Sequence, residues 1–249
     1  MPHKSAMTEM PVPSLPPAPS LAVVGSTARF PVGRIFCVGR NYADHAREMG
    51  ADPVREAPFF FTKGPHAILD AGGAQGANLP YPTQTANLHH EIELVVAIGV
   101  GGADIAPEAV AVHVFGHAVG IDFTRRDRQD EAKAARRPWD MSKSFDGAGP
   151  VGAITPGGAA LDGDSAITLD VDGVRVQSGH LGAMIWGEAE LVAELSRWQA
   201  LQPGDLIFTG TPAGVGAVGV GARLVGQVDG LEPVVVTIGD RSVPDNALS

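Results

Sequence analysis

The stretch LHHEIELVVAIG, residues 88–99, combines an apolar run typical of a buried β-strand with two glutamates two positions apart. Side chains alternate between the two faces of a strand, so Glu91 and Glu93 are predicted to share one face while Ile92 lies on the other. Two carboxylates roughly 5–7 Å apart on a strand repel each other unless water or a cation lies between them. The apolar residues 94–98 direct the strand into a core. The stretch therefore predicts either a solvated strand face or half of a metal site.

The composition is that of a globular chain. Its 249 residues are 44% hydrophobic and 18% charged, which suits one large domain or two small ones. The formal net charge of −10 argues against nucleic acid or an anionic membrane as a partner. No apolar run reaches the roughly 20 residues that span a bilayer, and the N-terminus lacks a signal-peptide pattern. The single cysteine, Cys37, is predicted to be a buried thiol. We therefore expect a cytoplasmic protein.

The chain is predicted to consist of a short arm and one domain. Residues 1–28 are rich in proline and small side chains, which predicts a flexible N-terminal arm, and residues 29–249 are predicted to form a single domain. Within this domain, strand signals outnumber helix signals and do not alternate regularly with them. The main strand signals are RIFCVG (34–39), LHHEIELVVAIG (88–99), GHAVGID (116–122), DLIFTG (205–210) and LEPVVVTIG (231–239). The pattern indicates a β-rich α+β fold.

A glycine-rich stretch, GVGAVG (214–219), matches the G-x-G-x-x-G pattern of dinucleotide-binding proteins. That pattern binds a pyrophosphate only where a helix begins at the glycines, and the following residues, VGARLVGQVDG, favour a strand. We therefore interpret the stretch as a turn between strands. The preceding TGTP loop (209–212) is a better candidate for ligand binding, because a threonine hydroxyl and backbone amides at a strand end can bind a carboxylate.

A third carboxylate strengthens the metal hypothesis. Asp122 ends the apolar strand GHAVGID, and no basic residue follows until Arg125. Three carboxylates with water match the oxygen ligands that Mg²⁺ and Mn²⁺ prefer. His89 and His90 lack the spacing of a zinc site, so we expect them to be structural or to support the metal ligands. An exposed acidic strand face remains the competing interpretation.

Other polar residues are candidates for catalysis, although each is weak evidence alone. His45 and Glu48 are three positions apart on a predicted helix, so the carboxylate can orient the imidazole as a base. A charged surface helix gives the same pattern. Arg126 and Gln129 share a helical face after Asp122, and these two residues and Lys143 can donate hydrogen bonds to an oxyanion.

Several of these motifs occur together, and in the same order, in one protein family. The chain resembles the fumarylacetoacetate hydrolase family, and within it the acylpyruvate hydrolases that act on fumarylpyruvate in aromatic-acid breakdown. The resemblance extends from about Arg34 to Gly239. The motifs that carry it are CVGRNYADHAREMG, PFFFTKG, LHHEIELVVAIG, GIDFTRRDRQDEAK, PWDMSKSFD and DLIFTGTPAGVG.

The resemblance implies a fold, a metal site and residue roles. The fold would be a mixed β-sandwich roll in a homodimer, with Mg²⁺ or Mn²⁺ bound by Glu91, Glu93 and Asp122. The resemblance assigns catalysis to His45, Glu48, Arg126, Gln129 and Lys143. It assigns substrate contacts to Arg40, Tyr42, Lys63 and Thr211.

The implied reaction is hydrolysis of a carbon–carbon bond in a 2,4-dioxo acid, with fumarylpyruvate giving fumarate and pyruvate. A decarboxylase or isomerase of oxaloacetate or a related β-keto acid is the main competing hypothesis, because it needs the same stabilised enolate without an attacking water. Two further hypotheses are a non-catalytic binding protein and a nucleotide-dependent oxidoreductase. A binding protein predicts no turnover, and an oxidoreductase predicts nucleotide binding.

Overall fold

The computed structural model describes residues 17–44, 56–73 and 75–241. Three α-helices lie wholly within these residues: α1 Arg126–Ala134, α2 Asp140–Lys143 and α3 Glu188–Trp198. The first nine of the described strands are β1 Ser20–Ala22, β2 Arg29–Pro31, β3 Ile35–Gly39, β4 Phe59–Lys63, β5 Ile68–Asp70, β6 Ala77–Pro80, β7 Leu88–His90, β8 Ile92–Ile98 and β9 Val114–Ile121. The other nine are β10 Thr124–Arg125, β11 Gly149–Val151, β12 Thr155–Pro156, β13 Ala166–Val171, β14 Val174–His180, β15 Leu206–Phe208, β16 Gly216–Val218, β17 Arg223–Val228 and β18 Val234–Gly239.

An eight-stranded mixed sheet forms the larger layer. Its strand order is β4-β3-β15-β8-β9-β11-β5, and β12 also pairs with β9. The β15–β3 and β11–β5 pairs are parallel, whereas β8 pairs antiparallel with both neighbours. A five-stranded sheet, β14-β13-β17-β18-β6, forms the second layer. The predicted β-rich α+β class and mixed β-sandwich roll are confirmed by this layered, curled arrangement.

The central strand β8 is buried along its whole length, which explains its uninterrupted apolar sequence. Leu94 packs in the cluster between the two sheets, with Leu169 and Leu224 from the five-stranded sheet. Val95 points to the opposite face, into a second cluster that includes the buried thiol of Cys37. This confirms the prediction for the cysteine. Strand β8 therefore contributes side chains to both hydrophobic clusters, one on each of its faces.

The structure corrects the predicted N-terminal arm. Ser20–Ala22 pairs with Arg29–Pro31 as an antiparallel ribbon, and Leu21 is fully buried in the second cluster. Residues 17–28 therefore belong to the folded domain, because a buried leucine and a strand pairing offset the low apolar content of the segment. Residues 1–16 lie outside the described part of the chain.

The predicted single strand over residues 88–99 is two strands. Leu88–His90 lies in a three-stranded sheet with β10 and β16, and Ile92–Ile98 lies in the large sheet. The chain passes between the sheets at Glu91. Its carbonyl oxygen accepts a hydrogen bond from the backbone nitrogen of Asp122 at 2.8 Å. This junction places a glutamate side chain where two sheets meet.

The glycine-rich stretch was predicted to be a turn between strands, but part of it is itself a strand. Gly216–Val218 is β16, and β17 follows at Arg223 without an intervening helix. The element that a pyrophosphate site requires is therefore missing from residues 214–228. In the described residues, no helix has both the length and the apolar character needed to cross a membrane.

Candidate active site and metal centre

Three buried carboxylates meet at adjoining strand ends. Ile92 of β8 pairs with Ile121 of β9, so Glu91 and Asp122 lie opposite each other just beyond the pair. Glu93 is two residues further along β8 and returns to the same side. One carboxylate oxygen from each of the three residues lies within 4.8 Å of the others. The predicted acidic cluster is therefore present, and the solvated strand face is excluded because all three side chains are buried.

Basic side chains surround two of these carboxylates. Nζ of Lys143 lies 2.7 Å from Oε2 of Glu91 and 2.7 Å from Oδ2 of Asp122. Nη2 of Arg126 lies 2.5 Å from Oε1 of Glu91, and Nζ of Lys63 lies 2.7 Å from Oδ1 of Asp122. Burial alone would lower the pKa of Lys143, but the charges of Asp122 and Glu91 outweigh it and raise the pKa. The ammonium group therefore stays protonated beside the cluster.

Glu93 has a different environment. Its Oε2 accepts a hydrogen bond of 2.7 Å from the backbone nitrogen of Gly210. Burial, followed by the charges of Asp122 and Glu91, raises the pKa of Glu93 well above its usual range. A dication would reverse this penalty, because it attracts all three carboxylates at once. The donor set is made of oxygen atoms and fits Mg²⁺ or Mn²⁺, as predicted.

Helix α1 adds two hydrogen-bond donors to the site. Arg126 and Gln129 are three residues apart, and Nη1 of Arg126 donates to Oε1 of Gln129 at 2.5 Å. Nε of Arg126 also donates to Nδ1 of His89 at 3.3 Å. Burial and then the charge of Arg126 lower the pKa of His89 to about 4, so the imidazole is neutral and accepts this bond. His89 supports the arginine and does not belong to the acidic cluster.

The TGTP loop borders the same site from β15. Thr211 lines the cleft, and its Oγ1 accepts a 2.9 Å hydrogen bond from Nε2 of Gln177. The hydroxyl hydrogen of Thr211 can therefore point to an acceptor in the cleft. Oε1 of Gln177 accepts from the backbone nitrogen of Ile92 and lies 3.0 Å from Nδ1 of His90. This one amide connects the loop to the strand that carries Glu93.

Most of the predicted site residues line a single cleft of about 430 Å³, a volume that includes its open mouth. The predicted residues on its wall are Arg40, Glu91, Glu93, Arg126, Gln129, Lys143 and Thr211. The cleft thus brings together side chains from β8, α1, α2 and the loop after β15. These positions are far apart in the sequence, so the fold alone makes them neighbours.

Among the other predicted residues, Asp122 belongs to the acidic cluster without lining the cleft, and Lys63 and Tyr42 are not in the cleft lining either. His45 and Glu48 lie outside the described residues. Lys63 is buried against Asp122 and donates to the backbone carbonyls of Phe123 and Lys143, so its observed contacts hold the aspartate. Tyr42 is buried, its hydroxyl has no hydrogen-bond partner among the described residues, and burial followed by the charge of Glu93 raises its pKa. Substrate contacts by Lys63 and Tyr42 stay predictions.

Sequence reasoning missed several residues of the site. Gln177 lies in a hairpin strand without any motif, so no local pattern identified it. Lys133 follows Arg126 by seven positions on α1, and this helical spacing was the available signal. Phe61 and Trp139 also line the cleft. They belong to the family motifs PFFFTKG and PWDMSKSFD, but nothing in those motifs indicated a place for the two rings in the site.

Residues 34–243 match the family model described as the C-terminal region of fumarylacetoacetate hydrolase. A fumarylpyruvate hydrolase from a Ralstonia species is 40% identical over 188 residues, which cover 76% of this chain and 96% of the relative. An oxaloacetate tautomerase from Escherichia coli is 36% identical over 209 residues, with 83% and 93% coverage.

A solved structure gives a similar result. The fumarylpyruvate hydrolase from Pseudomonas aeruginosa, crystallised with Mn²⁺ and pyruvate, is 49% identical and superposes with a TM-score of 0.88. The match covers 92% of this chain and 99% of that structure. The similarity therefore includes nearly the whole of that relative.

Proposed function

This chain belongs to the fumarylacetoacetate hydrolase family, and from that premise we propose that it is a divalent-metal-dependent hydrolase of acylpyruvates. The proposed substrate is fumarylpyruvate, and the products are fumarate and pyruvate. The observation that carries the proposal is the buried Glu91, Glu93 and Asp122 cluster at the floor of a cleft lined by donor side chains. A similar protein of 49% identity was solved with Mn²⁺ and pyruvate, which supports the same ligand chemistry here.

The metal would be held by the three carboxylates. When bound, Mg²⁺ or Mn²⁺ supplies a Lewis acid that stabilises negative charge on the oxygens of a 2-oxo acid. The raised pKa of Glu93 and the proximity of two other carboxylates explain why these residues favour a dication. Lys63 holds Asp122 from behind, which fixes the orientation of one ligand.

The side chains of the cleft would stabilise the oxyanion formed at the distal carbonyl. Lys143 is protonated, and Arg126 is held by Glu91 and Gln129. Such positioned donors lower a barrier because they need no reorganisation as charge develops. Thr211 can donate its hydroxyl hydrogen to the substrate carboxylate.

The bond cleavage needs a base. His45, oriented by Glu48, is proposed to accept a proton from the water that attacks the distal carbonyl carbon. The bond between that carbon and the methylene carbon then breaks, and its electron pair passes to the pyruvate part as an enolate. Protonation of the methylene carbon gives pyruvate, and the acyl part leaves as a carboxylic acid.

Oxaloacetate chemistry is the second candidate. Relatives that are oxaloacetate tautomerases match 83% of this chain at 36% identity. An enolate of oxaloacetate would use the same carboxylates and donors without an attacking water. The comparisons therefore favour testing oxaloacetate beside any acylpyruvate.

The test is the loss of ultraviolet absorbance of fumarylpyruvate in the presence of Mg²⁺, Mn²⁺ or EDTA, with pyruvate measured by a coupled assay. We expect metal-dependent loss with one pyruvate per substrate, and a loss of activity in Glu91→Gln. The matched control is Glu131→Gln, which removes an exposed carboxylate on α1 and should keep full activity. The absence of turnover by a folded, metal-loaded protein would contradict the proposal.

Assembly and cellular role follow from the resemblance as further proposals. We expect a cytoplasmic homodimer that acts in aromatic-acid catabolism of the gentisate type. Light scattering on the purified protein tests the dimer. A monomer at micromolar concentration would contradict it.

A further inference from the structure

The outer part of the cleft has two cations and two aromatic rings that the proposed chemistry does not use. Arg40, Lys133, Phe61 and Trp139 all line this cleft. We propose that Lys133 and Arg40 form a second carboxylate subsite, which selects acylpyruvates whose acyl group is planar and ends in a carboxylate. This inference rests on the proposed hydrolase function and names the residues that determine its substrate.

The geometry of α1 separates the two ends of the cleft. Arg126, Gln129 and Lys133 occur at i, i+3 and i+7, so they lie on one helical face. Arg126 contacts Glu91 at the acidic cluster. The backbone of Lys133 lies about 10 Å further along the helix axis than that of Arg126, from the rise of an α-helix over seven residues. The same helix therefore directs one cation to the reacting end and another to the outer end.

The charge around Lys133 favours an anionic ligand. The closest carboxylate contact described for its ammonium group is Oδ1 of Asp130, at 3.8 Å. Burial, and then the charge of Arg126, lower the pKa of Lys133, and Arg40 adds to this effect. The Lys133 ammonium group is thus repelled by two arginines, and its described ion pair, with the exposed Asp130, is long. An anion bound between them would relieve the repulsion.

Arg40 lines the cleft and has an uncommon backbone conformation. Its φ is 59°, in the left-handed region that bulky residues rarely adopt. Such strain persists where the surrounding structure fixes it, and it occurs often at ligand sites. The side chain is exposed, and a guanidinium can bind a carboxylate through two parallel hydrogen bonds.

Aromatic rings form a wall between the cluster and Lys133. The ring of Phe61 lies 5.1 Å from Nζ of Lys143 and 6.0 Å from the ring of Trp139. Nζ of Lys133 lies 5.5 Å from the Trp139 ring. Phe59 packs edge-on against Trp139 at 5.1 Å and supports it. A flat, unsaturated acyl chain fits along such rings, with its terminal carboxylate next to Lys133.

The first experiment compares fumarylpyruvate with acetylpyruvate, which has a short neutral acyl group. In Lys133→Met and in Arg40→Met we expect kcat/KM for fumarylpyruvate to fall by about 10- to 100-fold, mainly through KM, as for the loss of a hydrogen bond to a charged group. In Lys133→Met, activity on acetylpyruvate should change by less than about twofold, because this substrate has no second carboxylate to lose its partner. Lys133→Arg should keep most of the preference. Arg137→Met is the matched control, because Arg137 is an exposed cation just beyond α1 that does not line the cleft.

Equal losses on both substrates would overturn the subsite, as would a loss no larger than that of Arg137→Met. A binding measurement separates this result from failure of the proposed function. Calorimetry on the Mn²⁺-loaded protein should show tighter binding of fumarate than of crotonate, its monocarboxylate match, and Lys133→Met should remove the difference. A wild-type protein that hydrolyses neither acylpyruvate but keeps the fumarate preference would contradict the proposed function and support the subsite. Equal affinity for the two acids would reject the subsite.

Discussion

Nζ of Lys143 lies 2.7 Å from Oδ2 of Asp122, although Asp122 is one of three carboxylates arranged to hold a cation. The lysine also contacts Glu91 at 2.7 Å. Its ammonium group therefore neutralises the same charges that a dication would neutralise. Lys143 and the metal compete electrostatically, even though the proposed reaction needs both.

This competition predicts opposite effects on binding and on catalysis in Lys143→Met. Removing the ammonium group leaves the buried carboxylates with less compensating positive charge, so we expect Mn²⁺ to bind at least as tightly as in the wild type and to raise the thermal midpoint by a larger increment. The value of kcat should nevertheless fall by about 100- to 1000-fold, because an oxyanion donor is lost. Calorimetry and steady-state kinetics on the same preparation measure both effects.

Lys133→Met is the control for this experiment. It removes the same charge from the same cleft, and the described ion pair of Lys133 is with Asp130 and not with the acidic cluster. Its Mn²⁺ affinity should be close to that of the wild type. Weaker Mn²⁺ binding by Lys143→Met than by this control would show that the lysine organises the ligands and does not compete with the metal.

A second prediction concerns the proton that Glu93 releases when Mn²⁺ binds. Burial and the neighbouring Asp122 and Glu91 raise the pKa of Glu93, so the metal-free protein holds a proton there to higher pH than an ordinary glutamate does. Mn²⁺ requires the ionised carboxylate, so binding releases this proton, and the apparent affinity rises with pH up to the raised pKa. Above that pKa the affinity should become independent of pH.

Calorimetric titrations in two buffers with different ionisation enthalpies measure the released protons directly. We expect the observed heat to differ between the buffers at acidic pH, and the difference to shrink as the pH rises. The same heat in both buffers over the whole range would mean that Glu93 is already ionised before the metal binds.

The sequence predicted the centre of this site well because its signals are local. Glu91 and Glu93 are two positions apart on a strand, and Asp122 ends the next long strand in the chain, so antiparallel pairing suffices to bring them together. Gln177 could not be predicted in this way, because its contact with Ile92 joins residues 85 positions apart and depends on how the two sheets pack. The break at Glu91 was missed because no glycine or proline separates the two strands.

The contacts of Gln177 give a third prediction. In Gln177→Leu, the buried nitrogen of Ile92 and the carbonyl oxygen of Pro212 lose their partners, which should lower the free energy of unfolding by about 1–3 kcal/mol. Thr211 loses the amide that fixes its hydroxyl, so we expect KM to rise several-fold with a smaller change in kcat. Urea unfolding and kinetics measure the two effects. Gln227→Leu, the same change at an exposed position of β17, should alter neither one; equal effects from both variants would contradict the assigned role.

The last prediction separates the two candidate reactions at His45. Hydrolysis needs a base for the attacking water, whereas loss of carbon dioxide from oxaloacetate does not consume a water at that carbon. In His45→Ala, we therefore expect fumarylpyruvate hydrolysis to fall by about 100- to 10,000-fold, as for the loss of a general base. Any decarboxylation of oxaloacetate should fall much less. Both reactions are followed by pyruvate formation in the presence of Mn²⁺.

His180→Ala is the matched control, because His180 is exposed at the end of β14 and should be replaceable without effect on either reaction. Calorimetric Mn²⁺ binding should be unchanged in His45→Ala, since the proposed ligands are carboxylates. Hydrolysis that survives in His45→Ala would exclude His45 as the base that activates water. Rapid oxaloacetate turnover by a wild-type protein that leaves fumarylpyruvate intact would instead assign the acidic cluster to enolate chemistry without hydrolysis.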